Sequence, residues 1–286
     1  MSELVDLALR HARTAGIHAT QIAGLSVMRT DTRTPKLYQL FKPALCYVVQ
    51  GAKEVAVGSD ILRYRAGQFL FSSVELPLTG EVLDAKPAKP YLCLALEIDP
   101  AMVFELVSAT DKIDRTRAPA GRAIFVGSDD TLGDAFLRLM RCLRSPADAA
   151  VLAPTIVREI TYRLLRGSYG AVVRELGIAN SQTQRIATVI ERLKRDYAKP
   201  LRTEDLARLA GMSVSAFHAH FKKVTALSPL QYQKQMRLNE ARRILLASPT
   251  SAAGAGFAVG YESATQFNRE YTRFFGKSPI ADTRRA

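Results

Sequence analysis

The chain has 286 residues, enough for about two domains at roughly 150 residues each, and 40 Lys plus Arg against 27 Asp plus Glu leave a net charge of +13. Hydrophobic residues at 48% and charged ones at 23% argue against long disordered, collagen-like and membrane-embedded classes. Residues 181–286 hold 18 basic and 8 acidic side chains, so the last third carries most of the excess and calls for a polyanion, nucleic acid or an anionic membrane surface.

The opening MSELVDLALRHARTAG is charged throughout, and no run approaches about 18 consecutive apolar residues. A cytoplasmic location without membrane contact is therefore expected. Residues 1–24 read as an N-terminal helical segment. From Pro43 to Ile98, the β-favouring runs ALCYVVQGAKEVAVGSDILRYRAGQFLFSS, PLTGEVLDA and KPYLCLALEID are punctuated by Gly51, Gly58, Gly67 and Gly80. This spacing predicts a small antiparallel barrel or sandwich within residues 25–100. In the last run Leu92, Leu94 and Leu96 share one face while Tyr91, Cys93 and Ala95 share the other, and one face must be core.

The period becomes helical over 101–170, in AMVFELVSA, TLGDAFLRLMRCL and PTIVREITYRLLRG, with Pro100 and Pro154 suited to first helical turns. Ile156, Ile160 and Leu164, with Val157 and Leu165, form an apolar stripe. It has two readings: packing on the barrel, or a homodimer through helices 154–166. Residues 171–180 read as a linker with one weak helical turn, and 181–286 as an all-α domain.

That last domain contains a duplication. Phe217, Phe221, Ser228 and Pro229 recur as Phe267, Tyr271, Ser278 and Pro279, and Gly211 corresponds to Gly260 with one residue inserted. Each copy reads as a short helix, a glycine turn, an N-cap serine (Ser213, Ser263) and a second helix, which is the helix-turn-helix arrangement. Ser263 with Gln266 is a capping-box signature. The helix between the units, from Pro229 to about Ala247, spans roughly 28 Å at 1.5 Å per residue, close to the ~34 Å between successive major grooves. In SAAGAGFAV, two interior glycines each cost roughly 1 kcal/mol against alanine. That helix is expected to be the weakest of the domain, anchored by Phe257 and Val259.

The strings GMSVSAFHAHFKKVTALSPLQYQKQMRLNEARRIL and VGYESATQFNREYTRFFGKSP resemble the DNA-binding domain of the AraC/XylS family of bacterial transcriptional regulators. The N-terminal part, with CYVVQGAKEVAVGSDILRYRAGQFLFSSVELPLTGEV and PYLCLALEID, is similar to the cupin-like sensor domain of one AraC-type subgroup. The resemblance implies a two-domain α+β protein: a cupin-like antiparallel β-barrel with flanking helices, then an all-α domain with two helix-turn-helix motifs joined by a long helix. It implies base reading by Ser215, His218 and Ala219 in the first unit and by Ala264, Thr265, Asn268 and Arg269 in the second. Arg269 suits guanine and Asn268 suits adenine or phosphate. Lys222, Lys223 and Arg273 are implied as phosphate contacts.

The implied function is sequence-specific binding of double-stranded DNA for transcriptional regulation, modulated by a small-molecule effector or by dimerisation, with RNA polymerase as partner if the protein activates. No cofactor or metal is implied. The four histidines, His11, His18, His218 and His220, all fall outside residues 25–130, which speaks against the histidine-ligated metal of cupin enzymes. His218 and His220, two apart on a helix, point in different directions and do not share a metal. No nucleophile elbow or phosphate loop suggests catalysis. A cupin-type enzyme fused to a DNA-binding module, or an architectural protein without an effector, are the alternatives. If the barrel encloses a ligand, candidate lining residues are Tyr47, Val49, Phe69, Phe71, Tyr91 and Cys93. Cys46, Cys93 and Cys142 read as buried reduced thiols; if Cys46 and Cys93 are on neighbouring strands, a thiol-based sensor of aldehydes or oxidants is open to them.

Overall fold

The computed structural model describes residues 2–109, 122–247 and 250–283. Ten strands and twelve helices are present among these residues. A six-stranded antiparallel sheet has the order β1-β2-β9-β4-β7-β10, formed by Gly16–Ala19, Leu25–Thr30, Tyr91–Leu96, Ala44–Gln50, Gln68–Ser72 and Ile124–Ser128. A four-stranded antiparallel sheet has the order β3-β8-β5-β6, formed by Leu37–Phe41, Leu76–Asp84, Ala52–Val57 and Asp60–Arg65.

Strand alternation sorts the apolar side chains into two cores. One face of the larger sheet, with Leu45, Tyr47, Phe69, Phe71, Leu92, Leu94 and Leu96, is covered by α1 (Glu3–His11), α2 (Pro100–Ala109), α3 (Asp130–Cys142), α4 (Pro146–Arg166) and α5 (Gly170–Gly177). The opposite face, with Cys46, Val48, Leu70, Tyr91 and Cys93, meets Val55, Val57, Tyr64, Leu78 and Val82 of the smaller sheet. Both faces of β9 are therefore buried, which is why its sequence reads as an almost unbroken apolar run.

Several expectations change here. Residues 1–24 contain a strand as well as a helix, because β1 pairs with β2 in register Gly16 to Arg29 through Ala19 to Ser26. Within 101–170, where residues 110–121 lie outside the described part, the chain returns to the sheet as β10 and pairs with β7. Pro154 does not start a helix. Ser145 caps α4, its Oγ accepting from the Asp148 amide at 3.3 Å, Pro146 occupies the first turn, and Pro154 lies inside the 21-residue helix. It is tolerated there because both it and Ala150, whose carbonyl loses its donor, are exposed to water.

The stripe Ile156, Ile160, Leu164 and Leu165 is at most 8% exposed and belongs to the helix-covered core. It is consequently not a free dimerisation face. Residues 171–180 hold most of α5, whose Val172 and Val173 enter the same core, instead of a linker.

The C-terminal helices are α6 (Gln182–Asp196), α7 (Thr203–Leu209), α8 (Val214–Thr225), α9 (Pro229–Ala247), α10 (Ala252–Ala258), α11 (Ala264–Phe275) and α12 (Pro279–Thr283). Phe217, Phe221 and Tyr232 are buried in the first unit, and Phe267 and Tyr271 in the second. In α10 the anchors are Ala255, Gly256 and Val259, all buried, while Phe257 is 56% exposed and anchors nothing. The small residues have a packing cause: a Cβ on Gly256 would sit 2.8 Å from Cγ of the Phe267 ring. The helix is poor in bulk because α11 lies directly against it.

Candidate nucleic-acid interface

The two units are built alike. In each, a short helix (α7 or α10) ends in a glycine with positive φ, Gly211 at +62° and Gly260 at +89°. A serine then opens the next helix. Ser213 Oγ accepts from the Ala216 amide and Ser263 Oγ from the Gln266 amide, both at 3.3 Å. The Gln266 side chain turns to Glu270 at 3.5 Å instead of closing a capping box. The complete box belongs to α9: Ser228 Oγ accepts from the Gln231 amide at 3.2 Å and Gln231 Oε1 accepts from the Ser228 amide at 2.9 Å.

On α8, Ser215, His218, Ala219 and Lys222 follow i, i+3, i+4, i+7 spacing and are exposed, with Lys223 beside them, while Phe217, Phe221 and Val224 fill the opposite side. On α11, Thr265, Asn268, Arg269 and Arg273 are exposed and Ala264 is half-buried, against buried Phe267 and Tyr271. Each helix thus presents one polar face and seats the other. His218 is exposed and His220 half-buried.

Several basic residues are neutralised by carboxylates. Arg242 donates to buried Asp282 at 2.7 Å, Arg243 pairs with Glu240 at 2.6 Å, Lys194 with Glu75 at 2.7 Å and Lys199 with Asp196 at 2.8 Å. These cations serve the fold. Among the described residues, Lys222, Lys223, Arg269 and Arg273 have no carboxylate partner. They stand on the exposed faces of α8 and α11, where unneutralised charge meets phosphate.

α9 holds the units in register. Arg237 Nε donates to Tyr197 O at 2.7 Å, Nη1 to Gly260 O at 2.9 Å, and Nη2 to Lys199 O at 3.0 Å. Gln233 Nε2 donates to Tyr197 O and Lys199 O, both at 2.9 Å. The chain between α6 and α7 is thereby tied to the turn of the second unit. Burial pulls the Arg237 guanidinium below the usual arginine range, and its donors end on carbonyls.

The β domain docks on both units. The Ala123 amide donates to Val224 O, one of the last carbonyls of α8, at 3.2 Å. Tyr232 donates its hydroxyl to Glu75 O at 2.8 Å, and the Tyr38 hydroxyl of β3 donates to Phe274 O of α11 at 2.5 Å. Tyr38 also packs on Phe274 and Phe275, with ring centroids 4.6 and 4.7 Å apart. Sequence reasoning missed Arg237, Gln233, Tyr38 and Glu75. Their only signal was polarity or aromaticity at positions that helical or strand spacing turns inward.

The six residues named for a barrel pocket do not line one space. Tyr47, Phe69 and Phe71, with Val49 beside them, face the helices, and Tyr91 and Cys93 face the smaller sheet. Adjacent strands place alternate residues on opposite sides, so a set drawn from both parities is split. Tyr47 stacks on Phe136 at 5.0 Å, as core.

Residues 21–172 match the model for the AraC-type transcriptional regulator N-terminus, and residues 206–285 match a helix-turn-helix domain model. The chain belongs to the AraC-type family of transcriptional regulators. It is 26% identical over 151 residues to the HTH-type transcriptional regulator ArgR of Pseudomonas aeruginosa, covering 52% of this chain and 46% of that protein. It is 30% identical over 101 residues to the HTH-type transcriptional regulator GlxA of Rhizobium meliloti, covering 35% of this chain and 31% of that one. These matches span less than half of each relative. An apo ToxT structure from Vibrio cholerae shares the fold at TM-score 0.56 and 8% identity, over 92% of this chain and 98% of that chain. A ToxT structure with bound unsaturated fatty acid shares it at TM-score 0.55 and 8% identity, over 89% and 92%. Among the described residues, no helix is long and apolar enough to cross a membrane.

Proposed function

We propose that the protein regulates transcription by placing α8 and α11 in successive major grooves of one DNA face, and that the β domain adjusts their relative position. The observation that carries this reading is the shared design of α8 and α11: each seats an aromatic face in its unit and turns outward a polar face whose cations, Lys222 and Lys223 on one and Arg269 and Arg273 on the other, have no carboxylate partner among the described residues. Arg269 and Asn268 read bases in the second unit. In the first unit Ala219 offers only a methyl group, leaving Ser215 and His218 as readers, so discrimination there is weaker. Lys222, Lys223 and Arg273 hold phosphates.

Because the β domain touches the end of α8 through Val224 and the end of α11 through Phe274, a ligand at the domain boundary would bias both units. A groove of about 480 Å³ lies there, with apolar walls from Leu40, Met236 and Leu246; its rim cations Lys194, Arg242 and Arg243 are held by Glu75, Asp282 and Glu240, and Glu240 itself lines the groove. It suits a molecule with a largely apolar body, which the fatty acid in the ToxT structure also has.

The test uses DNA selected from a random pool by the protein. Arg269→Ala is expected to lose about 10- to 100-fold in affinity for the selected sequence, as a guanine contact worth about 1–3 kcal/mol requires. Binding to unrelated DNA should barely change. Lys222→Ala should weaken all sequences alike and lower the salt slope by about one. Unchanged sequence preference in Arg269→Ala would remove that residue from base reading.

A further inference from the structure

The space between the two sheets holds a polar cluster that DNA binding does not use. Cys46 on β4 stands opposite Ala95 of β9, and Val48 stands opposite Cys93, so the two thiols are diagonal neighbours on adjacent antiparallel strands. Both point into the core between the sheets, at 4% and 2% exposure, and the Cys93 thiol meets its neighbour's carbonyl, Leu94 O, at 3.8 Å.

From the facing sheet comes Lys53 of β5, 7% exposed, on the same side of its strand as buried Val55 and Val57. Tyr64 stands directly opposite Lys53. Neighbouring Glu54 pairs with Arg63, and among the described residues no carboxylate pairs with Lys53. The Tyr91 hydroxyl, fully buried beside Cys93, has no hydrogen-bond partner of normal geometry.

We propose that Cys46 and Cys93 form a two-coordinate site for a soft monovalent metal ion, of which Cu(I) is the type, with Lys53 as its counter-charge. Three features carry this. Thiolates select soft ions, and a d10 monovalent ion is satisfied by two of them in line, whereas zinc takes four ligands. Among the described residues no group of three or more His, Cys, Asp and Glu converges anywhere. Charge is the second feature. The metal displaces both thiol protons to solvent and leaves a complex of net charge −1, which the Lys53 ammonium neutralises, so the core holds no net charge. An unpaired ammonium in an apolar core is costly without such a partner.

Spacing is the third. Diagonal positions on antiparallel strands set Cα atoms about 7–8 Å apart, beyond the roughly 7 Å limit of an unstrained disulfide. Two thiolate–metal bonds of about 2.3 Å placed in line bridge that separation.

The experiment uses the full, reduced chain under anaerobic conditions, without DNA, so its outcome is independent of the regulatory reading. Cu(I) is added and a strong Cu(I) chelator competes for it. One equivalent should stay with the protein. Cys46→Ser and Cys93→Ser should each lose it, Cys142→Ser should keep it, and Lys53→Met should bind about tenfold more weakly, as removal of a residue that supports the ligands does. The wild-type chain supplies a second readout that needs no variant: X-ray absorption at the copper edge of the loaded, folded protein should show two sulfur ligands and no nitrogen or oxygen. Complete stripping of copper from the wild type, a copper shell other than two sulfurs, or a Cys46–Cys93 disulfide formed by mild oxidation would each overturn the proposal.

Discussion

Gly260→Ala is expected to destabilise the C-terminal domain by about 3 kcal/mol or more, whereas Gly211→Ala, at the equivalent turn, should cost only about 1–2 kcal/mol. Both glycines have positive φ, so both substitutions carry the left-handed backbone penalty. Their surroundings differ. A Cβ on Gly211 meets only the end of the Arg185 side chain at 3.5 Å, which moves aside. A Cβ on Gly260 would overlap the Ala198 carbonyl oxygen and stand 2.7 Å from its carbonyl carbon and 2.9 Å from its Cα. Backbone meets backbone there, so relief requires α10 and α11 to move away from the α6–α7 connection. Urea denaturation of the three proteins checks the difference, and equal midpoints for the two variants would contradict the close approach.

The second large effect is at Arg237, whose Nε, Nη1 and Nη2 hold Tyr197, Gly260 and Lys199 carbonyls at 2.7–3.0 Å. Arg237→Met keeps the aliphatic stem; Tyr197 O and Lys199 O retain the Gln233 amide, and Gly260 O loses its side-chain donor, at a cost of about 1–3 kcal/mol where water does not replace the partner. The loss should show more in DNA binding than in melting. Arg237 is the link between the two units, and without it α11 no longer keeps its offset from α8. We expect selected-DNA affinity to fall by more than tenfold while contacts of the first unit persist. Wild-type affinity in Arg237→Met would show that Gln233 and the β domain alone set the offset.

How much of this was legible beforehand follows from the range of the interactions. The duplicated units were readable because every signal is local: Gly211 and Gly260 in the turns, Ser213 and Ser263 as caps, Phe217, Phe221, Phe267 and Tyr271 at helical spacing. Ser228–Gln231 and Ser263–Gln266 carry the same S-x-x-Q signal, but only the first closes a full capping box, because the Gln266 side chain turns to Glu270. β10 was hidden because its partner β7 lies some 50 residues away in sequence. The α4 start was misplaced by a proline that is tolerated mid-helix on the wet side. The barrel pocket failed for a different reason. Parity along each strand was visible, but which parity faces which core depends on the pairing of β4, β7 and β9. Lys53 has a local signal, a lysine in step with Val55 and Val57 on one strand face.

The interdomain contacts were the least legible, because they join elements that sequence keeps far apart. Tyr38 reaches Phe274 across 236 positions and Glu75 reaches Tyr232 across 157. These contacts give the β domain its hold on both helix-turn-helix units.

The most direct measurement of that arrangement is guanine-methylation interference on a DNA fragment selected by the protein, performed on wild type and Arg269→Ala. One chain with α8 and α11 in successive grooves predicts two interference clusters about 10 base pairs apart on one face of the duplex, with Arg269→Ala weakening only one of them. A single cluster, or two clusters that both survive in Arg269→Ala unchanged, would contradict the account.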